Sequence, residues 1–133
     1  MTVYNYSFET NHPLDMINLD SFIESSLDKS KIKEGIMLVY CPHTTAAITV
    51  NENSDPHVRH DLMYAFNLLS PKRNTYLHLE GNSHAHLLST MVGVSKEFII
   101  RDGRPILGLW QSIYFCEFDG PRHRKVHIKF IEG

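Results

Sequence analysis

The last third of the chain limits the folds open to it more than any other feature. From Glu97 onward, "EFIIRDGRPILGLW" and "SIYFCEFDGPRHRKVHIKF" are rich in β-branched and aromatic residues, interrupted by Asp-Gly at 102–103 and again at 119–120. Runs of this kind form strands, and strands are stable only when paired within a sheet. Asp102-Gly103 favours a two-residue hairpin turn. Asp119-Gly120-Pro121 predicts a second turn, between two strands whose apolar residues alternate. Upstream, "VYNYSF" also alternates like a strand. "IMLVYC" (36–41) is a continuous apolar run of the sort that fills a buried strand, "PHTT" interrupts it, and "AAITV" (46–50) resumes as another.

Helical spacing is confined to the first two-thirds. Leu19, Phe22, Ile23 and Leu27 recur at that spacing and predict a helix over 15–30, closed by "KEG". Asp55 can cap a second helix and Pro56 suits its first position; Val58, Leu62, Ala65, Phe66 and Leu69 form its stripe. "TYLHLE" (75–80) reads as a short strand, "EGN" as a turn, and "SHAHLLSTMV" (83–92) as a helix capped by Asn82 or Ser83 and stopped by Gly93. Helices early and strands late predict an α+β fold, with a mixed or antiparallel sheet and helices packed on one side.

A chain of 133 residues without repeats, low-complexity tracts or long linkers is expected to form one domain over 1–133. No apolar run approaches the ~20 residues of a membrane span, and "MTVYNYSFETNHP" lacks the pattern of a signal peptide, so a cytoplasmic protein is expected. Cys41 and Cys116 read as reduced core thiols. A net charge of −2 argues against a general nucleic-acid binder, but the charge is uneven. Residues 1–71 hold four Lys/Arg against nine Asp/Glu, and residues 72–133 hold nine against six. The cationic second half can supply groups for an anion.

Nine histidines need explaining. His12, His57, His60, His123 and His127 fall at exposed or structural positions. His43 sits in the break between two apolar strands, His78 in a β-like run on the same face as Glu80, and His86 on the helix that follows, where His84 points elsewhere and periodicity does not choose between the two. Three imidazoles from separate elements, with a fourth position open, make a catalytic zinc arrangement; the spacing equally permits a hydrogen-bonded polar cluster. Asn51, Glu52 and Asn53 stand at a strand exit, where Glu52 can serve as a general base. Arg122 and Arg124 share one face of a strand and can fork onto a phosphate, or guard an edge strand with charge.

Together "HTTAAITVNEN" (43–53), Asp61-Leu62, "HLEGNSHAHLLSTMVG" (78–93) and "DGRPILGLWQSIYFCEFDGPRHRKV" (102–126) resemble the YjbQ family of secondary thiamine-phosphate synthases, over nearly the whole chain. The resemblance implies a single YjbQ-like α+β domain with a large mixed sheet, assembled as a homotrimer with sites near subunit boundaries. It implies a divalent metal, zinc or alternatively magnesium, on His43, His78 and His86. It also implies that Glu52, Glu80 and Asn82 line the site and that Arg122 holds an anion; the mechanism expected on that basis has Glu52 or Glu80 moving the proton, while Thr44, Asn82, Arg122 and Arg124 hold a phosphorylated small molecule. His84 departs from the family pattern and competes with His86 as a ligand. The implied reaction joins an aminopyrimidine diphosphate to a thiazole phosphate with release of pyrophosphate. A zinc-dependent hydrolase and a non-catalytic ligand-binding trimer are the alternatives.

Overall fold

The computed structural model describes residues 2–133. In chain order the elements are β1 (Val3–Glu9), β2 (Asp15–Asn18), α1 (Asp20–Ser30), β3 (Gly35–Tyr40), β4 (Ala46–Glu52), α2 (Pro56–Leu69), α3 (Ser83–Val92), β5 (Ser95–Arg101), β6 (Arg104–Pro105), β7 (Gln111–Glu117) and β8 (His123–Glu132). The fold is α+β, as the sequence predicts. In place of one large mixed sheet the strands form two, in the orders β1-β8-β3-β5-β6 and β2-β7-β4, and every ladder is antiparallel.

Strand β7 explains why there are two sheets. All its residues after Gln111 are buried, so both of its faces need cover. Ile113 and Phe115 face a core shared with the larger sheet, where Met37, Val39, Ile100, Val126 and Ile128 meet them. Tyr114 and Cys116 face the other way, onto Met16, Ala47, Ala85 and Leu88. Side chains that alternate across a strand can serve two cores at once, and each fully buried Ile or Phe contributes about 2–3 kcal/mol to burial. Helices α2 and α3 cover the outer face of the smaller sheet through Leu62, Phe66 and Leu88. Helix α1 instead joins the core between the sheets through Ile23 and Leu27.

Three local expectations are corrected. The helix predicted over 15–30 begins at Asp20, because Met16 and its neighbours pair with β7 (Met16 opposite Cys116). Asn18 Oδ1 accepts from the Asp20 N–H at 2.7 Å, where the strand gives way to the helix. The turn expected at Asp119–Pro121 is present between β7 and β8, and it carries the chain from one sheet to the other. "TYLHLE" forms no strand; residues 71–82 are turns and irregular backbone. After the two residues of β6, "ILGLW" leaves the sheet as well. By contrast, Asp102 and Gly103 both adopt left-handed φ (53° and 79°) and close the β5–β6 hairpin. Asp55 caps α2 through the His57 N–H at 2.9 Å.

Candidate active site

Strand β3 belongs to the larger sheet and β4 to the smaller, so the chain must cross between sheets at Pro42–Thr45. The β7–β8 connection makes the reverse crossing at Phe118–Arg122. The two crossings lie side by side, and with the start of α3 they enclose a cleft of about 320 Å³ lined by His43, Thr44, Thr45, Glu80, Asn82, His86, Arg122 and Arg124. A second hollow, about 400 Å³, continues past His43, Thr44 and His86 along Ser89, Thr90 and Val94.

The floor is a buried ion pair. Glu117 is wholly buried and Arg124 is 3% exposed. Arg124 donates to Glu117 through Nε (2.8 Å) and through Nη2, and Nη2 also donates to Thr45 Oγ1 at 2.9 Å. Glu117 further accepts from Thr10 Oγ1 (2.7 Å) and from the Asp119 N–H (3.0 Å). Both carboxylate oxygens are hydrogen-bonded in this way, as a buried ion pair requires.

One wall is a ring of donors and acceptors. Asn82 Nδ2 and Arg122 Nη2 each donate to the same two oxygens: Glu80 Oε2 at 2.9 and 2.6 Å, and Asp119 Oδ2 at 2.7 and 2.8 Å. The ring ties the irregular 71–82 segment to the β7–β8 crossing. Burial pushes the Asp119 carboxyl up, but hydrogen bonds from Asn82 and Arg122, with the charge of Arg122, outweigh it and hold the group below its ordinary value. Hydrogen bonds to Asp119 and then Glu80, with their charges, in turn raise Arg122. Asn82 itself is 5% exposed, and its Oδ1 has no hydrogen-bond partner.

The histidines complete the cleft. His86 projects from α3, and the ring of His78 packs edge-on against it with centroids 5.5 Å apart. His43 Nε2 accepts the Lys125 main-chain N–H at 2.9 Å; burial, then the nearby Arg124 charge, lowers its pKa. His84 does not line the cleft. Its Nδ1 is buried without a partner, and burial and Lys72 lower its pKa against the opposing pull of Asp119.

The structure therefore brings His43, Thr44, Glu80, Asn82, His86, Arg122 and Arg124 to one place, with His78 against His86. Glu52 is not brought there. It ends β4, roughly 20 Å from Ala46 at the rise of an extended strand, and its carboxylate accepts the Ser54 N–H at 3.0 Å. Sequence reasoning overlooked Thr45, Asp119 and Glu117. Asp119 reads as a turn residue, whereas a glutamate inside the apolar run 113–118 was a signal that a buried cation must be near.

Electrostatically the cleft is not a simple anion hole. Glu80, Glu117 and Asp119 oppose Arg122 and Arg124, so with neutral imidazoles the local charge is −1. A divalent ion suits that charge. Two imidazoles on one tetrahedral ion place their ring centroids about 5 Å apart, which the His78–His86 pair matches. His43 does not fit as it stands, because the Lys125 N–H occupies its Nε2 lone pair. Among the described residues no three His, Cys, Asp or Glu are gathered closely enough to hold a metal.

These features define a small two-sheet α+β protein with a polar cleft where the chain crosses between sheets. The model of the family described as "UPF0047 protein YjbQ-like" matches residues 4–133, and the chain belongs to that family. It is 47% identical over 129 residues to UPF0047 protein MJ1081 of Methanocaldococcus jannaschii, covering 97% of this chain and 94% of that one. A crystal structure of an uncharacterised conserved protein of the same family from Clostridium acetobutylicum superposes with a TM-score of 0.92 at 45% identity, over 96% of this chain and 98% of that one. A hypothetical protein from Aeropyrum pernix gives 0.94 at 32% identity, over the whole of both chains. The family resemblance drawn from the motifs is borne out. Among the described residues no helix is long and apolar enough to cross a membrane.

Proposed function

We propose that the cleft is the active site of a metal-assisted enzyme acting on a phosphorylated small molecule, with thiamine-phosphate synthesis as the reaction to test first. The observation that carries this reading is the His78–His86 pair, at ligand spacing, beside a cleft whose surroundings, with Glu117 and Asp119 counted behind the lining, carry a charge of −1. A divalent ion held there, zinc by the preference of imidazole donors and magnesium less readily, would supply the positive charge that a leaving pyrophosphate needs. In the implied reaction the bond between the pyrimidine methylene carbon and the diphosphate oxygen breaks, and its electron pair leaves on pyrophosphate. The thiazole nitrogen lone pair then forms the new carbon–nitrogen bond. The chain's part is positional: Arg124 is fixed by Glu117 and Thr45, and Arg122 and Asn82 fix Glu80.

One observation favours hydrolysis as the second reading. Glu80 commits only Oε2 to the donor ring, leaving Oε1 for the proton of an attacking water. The assembly we propose is a homotrimer working in the cytoplasm. In support, Leu77 and Leu79 on either side of His78 are 95% and 101% exposed, and Ile131, Ile36 and Ile99 form an exposed row across three paired strands. Apolar surface of this kind marks a contact.

Product analysis tests the function. Zinc-loaded protein given the aminopyrimidine diphosphate and the thiazole phosphate should yield thiamine phosphate and pyrophosphate, and His86→Ala should not. Phosphate release without the thiazole acceptor would favour the hydrolase; no turnover with zinc or magnesium would reject both.

A further inference from the structure

His43 is the one candidate ligand whose ring is already committed, and the commitment follows from the fold. Strand β8 pairs with β3 as far as His127 opposite Tyr40. At Lys125 the β3 strand has turned away into the crossing, and the Lys125 N–H on that side has lost its strand partner. The His43 ring takes the place of the missing strand, with Nε2 accepting at 2.9 Å. A neutral imidazole has one lone pair and one N–H. With the lone pair spent at Nε2, the proton resides on Nδ1. A metal ligand needs a free nitrogen lone pair, and providing one would break the bond to the Lys125 N–H. Meanwhile His43 lines both hollows, and Arg124 acts on it electrostatically.

We propose that His43 is not a metal ligand but a tautomer-locked hydrogen-bond donor, whose Nδ1–H holds a phosphoryl oxygen of the substrate where the two hollows join. This assignment rests on the metal-assisted reading above, with the ion on the His78–His86 side and the anion bound from the His43–Arg124 side. It divides three residues of similar appearance into two chemical roles.

The test uses protein labelled with ¹⁵N at histidine, untagged, as zinc and then inorganic phosphate are added. In the metal-free protein His43 should show a protonated Nδ1 and an unprotonated Nε2. Zinc should shift the ring nitrogens of His78 and His86 and leave the His43 pattern unchanged, while phosphate added next should shift His43 Nδ1. His43→Ala should retain zinc and lose about tenfold in phosphate affinity. His43→Asn, which puts an amide donor near the Nδ1 position, should recover most of that affinity, and His43→Gln should not. A His43 that shifts with zinc together with His78 and His86, or zinc lost from His43→Ala in a folded protein, would overturn the assignment. No zinc response at any histidine would instead sink the metal reading, and a Nδ1 indifferent to phosphate would remove the donor role.

Discussion

Glu117 and Arg124 lie seven residues apart on two different sheets, and their side chains close on each other beneath the cleft as a fully buried ion pair. The pair holds the β7–β8 crossing against Thr10 and Thr45, each of which contributes a hydrogen bond. Removing one partner leaves the other charge buried and unpaired. Glu117→Gln should therefore cost about 3–5 kcal/mol, read from urea unfolding. The double variant Glu117→Gln/Arg124→Met should cost less than Arg124→Met and Glu117→Gln added together. Additive losses would mean that the two do not act as a pair.

Acid should weaken the fold in two stages. His43 and His84 have folded pKa values below the ordinary 6.5, so the unfolded chain binds their protons first. Their contribution is complete above about pH 6.5 and is lost as pH falls through their folded values. Asp119 is held below 3.8, so its contribution is present above that value and lost as pH falls through the lower folded one. Melting temperatures across this range should show the first decline shrink in His84→Gln and the second in Asp119→Asn.

Neither thiol should react in the native protein. Burial raises Cys41 to about 11 and Cys116 to about 12, and both are fully enclosed. A disulfide reagent at pH 8 should find no thiol per folded chain and two after unfolding. Rapid labelling of the folded protein would show that the core around β7 opens readily.

Much of this structure was legible because local signals and tertiary needs agreed. Asp55-Pro56 begins a helix in both accounts, and Asp102-Gly103 turns a hairpin in both. The failures fall where pairing overrode local pattern. Met16 is helical by spacing but pairs with Cys116 as a strand. "DGP" turns the chain between two strands as it reads, but which sheets those strands join was not legible, since β7 pairs with β2 and β4 and β8 pairs with β1 and β3. In the site, residue types pointed to His78 and His86, while Glu52 was drawn in by its place at a strand exit, and then by the family pattern, although its strand carries it away. The lock on His43 could not be read from sequence. It depends on where β3 ends relative to Lys125, and that is a property of the register alone.

The central claim is that His78 and His86 hold a metal ion beside the cleft. Its most direct test is the zinc content per chain of untagged, chelator-washed and zinc-reconstituted protein, compared among wild type, His86→Ala and His78→Ala, with folding checked by circular dichroism. The account predicts near-stoichiometric zinc in the wild type and its loss from both variants. Folded wild-type protein that retains no zinc, or variants that retain it in full, would contradict it.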